Sequence, residues 1–338
     1  MKRIFYKIQK TKYQKRKSVK LIQALIIAIT AWIIPVEVHA ASCCGGGSST
    51  SLILPKFSKS MVSFSAGSEI YHGSYDVEGF HNPDPPQSDL KQYKTTIGGA
   101  IRLSDRFQLA LSIPYVWNSI QYSGVSSTSN GLGDSSLNLT YETFDNVRCV
   151  WKVRDFSDLI PAIYFGVGFL LPTGNSQYSS IKDNFHITGR GFYRGDLKLL
   201  IDKSIYAFNI SLGATYGKHF TRPVNREYGE YITPYTKQLG DRLVLNAAMG
   251  YTFNLDIVNL TLTGAYSRVE EFAGKIGGKS NPFTAFTKNV LSFTTSVATA
   301  DKNKVLKFTI SHSPEKDYWG TNTAATNTFS IEVWNVIR

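Results

Sequence analysis

The sequence predicts an all-β chain that folds as a closed antiparallel transmembrane β-barrel of about twelve strands, with short periplasmic turns and long extracellular loops. Three observations predict it. Segments of about a dozen residues alternate apolar with polar or small side chains. The connections between these segments alternate between short and long. The N-terminus has the composition of an export signal.

The N-terminal forty residues have the layout of a secretory signal. Residues 1–20 contain nine Lys or Arg and no acidic residue, and residues 21–36 are almost wholly apolar. The apolar run is shorter than the roughly 20 residues that a membrane-spanning helix needs. A permanent transmembrane helix is therefore the weaker interpretation. We predict a signal peptide over 1–40 with cleavage after Ala40, and location in the outer membrane of a Gram-negative-type bacterium.

The net charge of +12 is concentrated in this signal. Residues 1–40 contribute +8 of it, because their nine basic residues are opposed only by Glu37. The rest of the chain carries +4 and has no basic cluster with interleaved aromatic residues. The composition therefore argues against a nucleic-acid partner.

Residues 41–60 are small and polar and predict a flexible Gly/Ser/Cys-rich arm before the barrel. Three cysteines are available, Cys43, Cys44 and Cys149. Adjacent cysteines rarely bond to each other, so a disulfide would join Cys149 to one of the other two. Cys43 also follows a degenerate lipidation sequence. Two adjacent thiols lack the spacing and further ligands of a zinc site. An arm without assigned chemistry is the preferred interpretation, and we expect no metal and no cofactor.

Period-two alternation is clear in the segment that contains Phe107, Leu111 and Trp117 on one face and Gln108 and Ser112 on the other. The remaining segments follow the same pattern, and no segment after residue 60 shows a convincing helical period. The predicted strands are 61–73, 92–103, 106–118, 131–144, 159–172, 188–202, 204–218, 239–254, 257–269, 288–299, 304–314 and 326–337.

The connections separate a membrane barrel from a soluble β-sandwich. Links after even-numbered strands are short, as at Lys203, with one longer exception over 145–158, and links after odd-numbered strands are long and polar. The segments also exceed the 3 to 10 residues typical of soluble strands, and their apolar faces carry aromatic residues toward the ends. Closure is required because an open edge in lipid would leave backbone groups without partners.

Because neighbouring residues of a strand point to opposite faces, the odd or even position of a residue along its strand, its parity, decides which face it joins. If the apolar face meets lipid, parity assigns the charged residues to the barrel lumen. Two interpretations stay open, a structural network of paired charges and a permeation or binding site. The lumen candidates are Glu69, Arg102, Glu142, Arg194, Asp196, Lys198, Lys307 and Glu332.

His, Ser and Thr residues are the candidates for a catalytic site. Ser311 and His312 are adjacent and point to opposite faces of a strand, so they cannot form a pair. His186 and Thr188 have the spacing of a His-x-Ser pair but lie at a loop edge. We expect no enzyme activity and no catalytic residues. A further group of acidic and His residues falls near the outer rim, where a solvated loop is the preferred interpretation: His72, His81, Asp84 and Asp89.

Two stretches resemble a known family. Gly131–Asp134 reads GLGD and precedes SSLNLTYE, and Pro161–Gly174 ends in LPTG. Both resemble the outer-membrane channel family named for the meta-pathway of phenol degradation. The resemblance implies a transporter or channel. The motif residues themselves predict structural roles. Gly131 and Gly133 permit tight backbone geometry, Asp134 can accept hydrogen bonds from nearby amides, Pro172 ends the strand and Gly174 turns the chain.

The sequence thus predicts a channel or transporter for a small solute, with apolar compounds among the candidates. A non-transport surface barrel that binds through its long loops is the alternative, and an outer-membrane lipid hydrolase is the third. The predicted partners are outer-membrane lipid, an unidentified small solute and the insertion machinery, because the C-terminal strand resembles the targeting strand that this machinery reads.

Overall fold

The computed structural model describes residues 52–55, 58–122, 125–143, 149–150, 152–181 and 186–338. The predicted signal peptide, Cys43 and Cys44 lie outside the described residues, and Cys149 is described only as part of a short strand. The predicted fold is confirmed, since twelve long strands form a closed antiparallel barrel. No helix within the described ranges is long and apolar enough to cross a membrane.

Each barrel strand pairs with its neighbours in sequence, and β12 pairs with β1 from Ser60↔Ile337 to Tyr75↔Thr323, which closes the barrel. All twelve predicted strands have a counterpart. They are β1 (Ser60–Tyr75), β2 (Asp89–Arg102), β3 (Phe107–Tyr122), β4 (Ser135–Glu142), β5 (Ala162–Leu171), β6 (Arg194–Ile205), β7 (Phe208–His219), β8 (Arg242–Asn254), β9 (Val258–Glu271), β10 (Phe286–Thr299), β11 (Lys304–His312) and β12 (Thr323–Ile337).

The two faces of the barrel wall have opposite polarity. On β3, Leu111 and Ile113 are exposed on the outside, whereas Gln108 and Asn118 are buried on the inside. Neighbouring residues of a strand point to opposite faces, so the alternation in sequence becomes an apolar outer surface and a polar interior. The predicted parity is the one observed.

The connections alternate in length as predicted. The short turns are 103–106, 206–207, 255–257 and 300–303, and the longer exception is 143–161. The long loops are 76–88, 123–134, 172–193, 220–241, 272–285 and 313–322. The turn predicted at Lys203 lies instead at 206–207, where Tyr206 adopts a φ of 57° and so reverses the chain in two residues.

Some extracellular loops extend the barrel wall. Val125–Leu132 pairs with the outer half of β3. A separate four-stranded sheet is formed by loop segments Arg222–Glu227, Glu230–Gln238, Gly274–Ile276 and Lys279–Asn281.

The periplasmic end of the lumen is filled by an apolar cluster around Leu54, which is 0% exposed. Leu52 packs against the same cluster. The wall contributes inward-facing side chains: Met61, Ala100, Ala110, Ala298, Val305, Trp334 and Val336. Residues 52–55, at the C-terminal side of the predicted arm, therefore lie inside the barrel.

Candidate functional site in the barrel lumen

All eight predicted lumen residues lie on the inward-facing side of the wall. In the extracellular half, Glu69 Oε1 lies 3.2 Å from Lys288 Nζ, and Asp196 Oδ1 lies 2.6 Å from Arg194 Nε. Lower down, Lys198 Nζ donates to Asn138 Oδ1 at 2.6 Å. These charges are thus already engaged with protein groups, which limits the cost of their burial.

The other predicted lumen residues lie nearer the periplasm. Arg102 and Glu142 approach to 4.0 Å. Lys307 lies opposite Glu332 in the register and 3.3 Å from the ring centroid of Trp334, a cation–π geometry.

Arg102 and Gln108 hold the N-terminal segment, which is residues 52–55 together with Ser58, in the lumen. Arg102 Nε donates to the Ser58 carbonyl at 2.9 Å, and its Nη2 donates to the Pro55 carbonyl at 3.1 Å. Gln108, which is 1% exposed, accepts from the Leu54 amide at 2.6 Å. The segment is therefore fixed both by apolar burial and by hydrogen bonds to its backbone.

A denser polar cluster occupies the extracellular end of the lumen. Arg190, from loop 172–193, donates to both carboxylate oxygens of Glu271 at 2.5 and 2.7 Å. Glu271 is 2% exposed. The fork geometry of guanidinium matches a carboxylate, so this pair ties the loop to the end of β9.

Several members of these clusters were missed by the sequence reasoning. Arg242 and Lys288 lay inside predicted strands, at positions that alternate onto the inward face. The rule that identified the other lumen residues could therefore have identified these two. Glu271 lay two residues beyond the predicted end of its strand. Arg190 lay inside the strand predicted over 188–202, on the same face as Arg194 and Asp196, although the structure places it in the loop before that strand.

The two family-like motifs meet in this region. Asp134 Oδ2 accepts from the Arg190 amide at 2.7 Å, and its Oδ1 accepts from the Gly174 amide at 3.2 Å. Thr173 Oγ1 donates to the Gly133 carbonyl at 2.6 Å. The GLGD carboxylate thus accepts amide hydrogens, as predicted, and fastens both ends of loop 172–193. Pro172 directly follows the end of β5.

The motif glycines are needed for close packing rather than for a left-handed backbone. Neither Gly131 nor Gly133 has a positive φ. A Cβ at Gly133 would lie 2.9 Å from Pro114 Cγ, and one at Gly131 would lie 2.9 Å from Asn175 Nδ2. The expected tight turn is therefore a tight contact between loop and wall.

Asp134→Ala should release loop 172–193. Two amides lose a charged acceptor, which costs about 1–3 kcal/mol where the donors stay unsatisfied. Amide hydrogen exchange at Gly174 and Arg190 should accelerate. Asp256→Ala, in an exposed periplasmic turn, is the matched control, and equal acceleration in both variants would contradict this role.

Above the lumen, loop residues form a small extracellular core. Tyr178 and Phe192 meet edge to face with ring centroids 5.5 Å apart, and Val224 is buried beside them. Arg222 stacks over the Tyr178 ring at 4.9 Å. Burial raises the pKa of the Tyr178 phenol, so it stays neutral at ordinary pH.

Ser311 and His312 point to opposite faces of their strand, as predicted, and Thr188 is bound to backbone groups. Ser311 Oγ accepts from Ser292 on the inner face, whereas His312 is exposed on the outer face. Thr188 Oγ1 is engaged with the Leu132 carbonyl at 2.6 Å and the Asn175 amide at 2.9 Å.

The rim residues are partly brought together. His72 lies between His81 and His312, with ring centroids 6.3 and 6.1 Å apart, and its Nδ1 lies 3.2 Å from Glu315. Asp89 instead pairs with Lys91 at 2.8 Å. No group of three or more His, Cys, Asp or Glu side chains in the described ranges is arranged to hold a metal ion.

An apolar depression of about 650 Å³ lies on the outer wall, bordered by Leu212, Met249 and Phe293. These side chains are about half exposed and belong to the lipid-facing parity. The depression is therefore not part of the lumen.

Comparison with known proteins identifies the fold. No protein-family model and no curated protein matches the sequence. A solved outer membrane channel from Pseudomonas putida F1 superposes with a TM-score of 0.61 at 11% identity, over 85% of this chain and 97% of the channel. This similarity establishes the fold of an outer-membrane β-barrel.

Two autotransporter barrels are more distant. The β domain of the Bordetella autotransporter BrkA gives a TM-score of 0.43 at 9% identity, over 82% of this chain and 99% of that domain. The translocator domain of NalP from Neisseria meningitidis gives 0.41 at 11% identity, over 82% and 88% of the two chains.

Proposed function

We propose that this protein is an outer-membrane channel for a small solute, closed at its periplasmic end by its own N-terminal segment. The observation that carries the proposal is the polarity of the barrel wall, which is apolar outside and lined with polar and charged side chains inside. Polar and charged side chains line the water-filled interior of outer-membrane channels. The motif resemblance supports membership of the meta-pathway channel family as part of this proposal.

The N-terminal segment is the proposed closure. Leu54 fills the apolar cluster at the periplasmic end, and Arg102 and Gln108 bind the adjacent backbone. Such a contact can open without unfolding the wall, because the segment is not paired into the barrel sheet. Solute passage would require it to leave the lumen.

Leu54→Asp should open the channel. An aspartate at this apolar position loses its hydration without gaining a partner, so the segment is expected to leave and conductance in planar bilayers to rise several-fold over the wild type. Ile257→Asp, which makes the same chemical change at an exposed periplasmic turn, should conduct like the wild type.

Absence of conductance in both the wild type and Leu54→Asp, in correctly folded protein, would refute the channel. Equal conductance in all three proteins would refute the closure and retain the channel.

A second candidate function, binding of a surface partner through the loops, is favoured by exposed extracellular aromatic residues. Tyr231, Phe283 and Tyr318 are 78%, 74% and 72% exposed. Aromatic side chains are enriched where proteins bind partners. Replacing all three with serine should abolish such binding and leave permeability unchanged.

Export belongs to the same proposal. We infer removal of residues 1–40, insertion into the outer membrane by the machinery that reads the C-terminal strand, no enzyme activity and no assigned chemistry for Cys43 and Cys44. Mass spectrometry of the mature protein tests the cleavage site after Ala40 and any lipid at Cys43.

A further inference from the structure

Four inward-facing positions form one row across the extracellular half of the lumen. Asp196 is opposite Gly217, Gly217 is opposite Arg242, and Arg242 is opposite Glu271. Arg194 and Arg190 reach this row from β6 and from loop 172–193. The row therefore brings three guanidinium groups to two carboxylates.

Both carboxylates are occupied by the other two arginines. Arg190 takes both oxygens of Glu271, and Arg194 takes both oxygens of Asp196 at 2.6 and 3.1 Å. The Arg242 guanidinium forms no hydrogen bond or ion pair with a side chain or carbonyl of any residue that the structure describes. The cluster consequently has one positive charge in excess, on a half-buried guanidinium with five donors.

The Arg242 guanidinium adjoins an ion pair and an apolar surface. The Arg194–Asp196 pair packs over Gly217, where an added Cβ would lie 2.4 Å from Asp196 Oδ1 and 2.9 Å from Arg194 Cδ. Two residues further along the same inward faces, Val244 lies opposite Val269, and both are half-buried. An unpaired fork of donors thus adjoins a small apolar surface.

We propose that Arg242 binds the carboxylate of a small organic anion with an apolar body, which rests on Val244 and Val269. A guanidinium binds a carboxylate through two parallel hydrogen bonds. One excess charge matches a monocarboxylate better than a dianion. The proposal deepens the proposed function by naming a solute class, and it rests on that function only for passage of the solute, since binding is measurable without passage.

The test uses the mature protein in detergent, with benzoate as the probe and benzyl alcohol as its uncharged counterpart. Isothermal titration should show benzoate binding to the wild type and to Arg268→Gln. Arg268→Gln is the control, because it removes the same charge at a position outside the lumen. Arg268 lies on β9, and its side chain is 46% exposed. Arg242→Gln should bind benzoate about tenfold or more weakly, the loss expected for a charge-assisted pair. Benzyl alcohol should bind all three equally weakly.

Equal benzoate binding by Arg242→Gln and the wild type, or none by the wild type, would overturn the site. Arg242→Lys keeps the charge without the fork and should be intermediate, which preserves the test if the glutamine variant does not fold. Conductance without benzoate binding would contradict the proposed binding site and leave the channel proposal intact. Benzoate binding without conductance would contradict the channel proposal and leave the binding site intact.

Discussion

Glu271→Ala should lower the free energy of unfolding by about 3–5 kcal/mol, the cost of removing one partner from a buried ion pair. The carboxylate is 2% exposed and accepts both hydrogen bonds of the Arg190 fork. Its loss would leave Arg190 without an acceptor and Arg242 without its nearest cross-strand carboxylate. Urea titration in lipid vesicles would measure the change.

Glu270→Ala is the matched control, because Glu270 is the neighbouring residue on the opposite face. Its partner Arg268 is 3.3 Å away and well exposed, so this variant should cost no more than about 1 kcal/mol. In a double-mutant cycle, Arg190→Ala should recover part of the Glu271→Ala loss. Equal losses at positions 270 and 271 would contradict the buried role of Glu271.

The number of strands was predictable because lipid imposes one rule on the whole wall. Outward positions within the hydrocarbon layer are predominantly apolar, and neighbours alternate faces, so the period of two persists in all twelve strands. Their ends were less predictable. The strand expected from position 188 begins at Arg194, because the Thr188 and Gly189 amides bond to the Asn175 carbonyl and not to a neighbouring strand.

The strand expected over 131–144 shows a second kind of difference. The structure divides it at Gly133 and Asp134, between Val125–Leu132 and β4. The side chain of Asp134 is held by amides from another loop. A contact between residues so far apart in the sequence changes the local strand pairing, but the alternation of apolar and polar residues gives no sign of it.

Parity identified lumen residues but not their partners. The Arg190–Glu271 pair joins residues 81 positions apart, and their proximity depends on barrel closure and on the path of a loop. The burial of Leu54 was unpredictable for a similar reason. Its apolar neighbourhood is visible in the sequence, but only the closed barrel provides the cavity that buries it.

Leu111→Arg should destabilise the barrel by about 2–4 kcal/mol if this mid-strand position lies near the bilayer midplane. Leu111 is on the outer face of β3 and is 42% exposed to the surroundings of the barrel. An arginine there must place its charge in hydrocarbon or bend toward the interface. Urea titration in vesicles would report the loss.

Ser112→Arg is the control, since Ser112 points into the lumen and is only half-buried, where a charged side chain can meet water. It should cost far less than Leu111→Arg. The second pair, Leu212 and Ser211, is less suitable, because Ser211 is 5% exposed and an arginine would also meet steric resistance. A larger loss at Ser112 than at Leu111 would mean that the two faces are exchanged. Equal losses would favour a dry interior, because neither face would then offer the charge access to water.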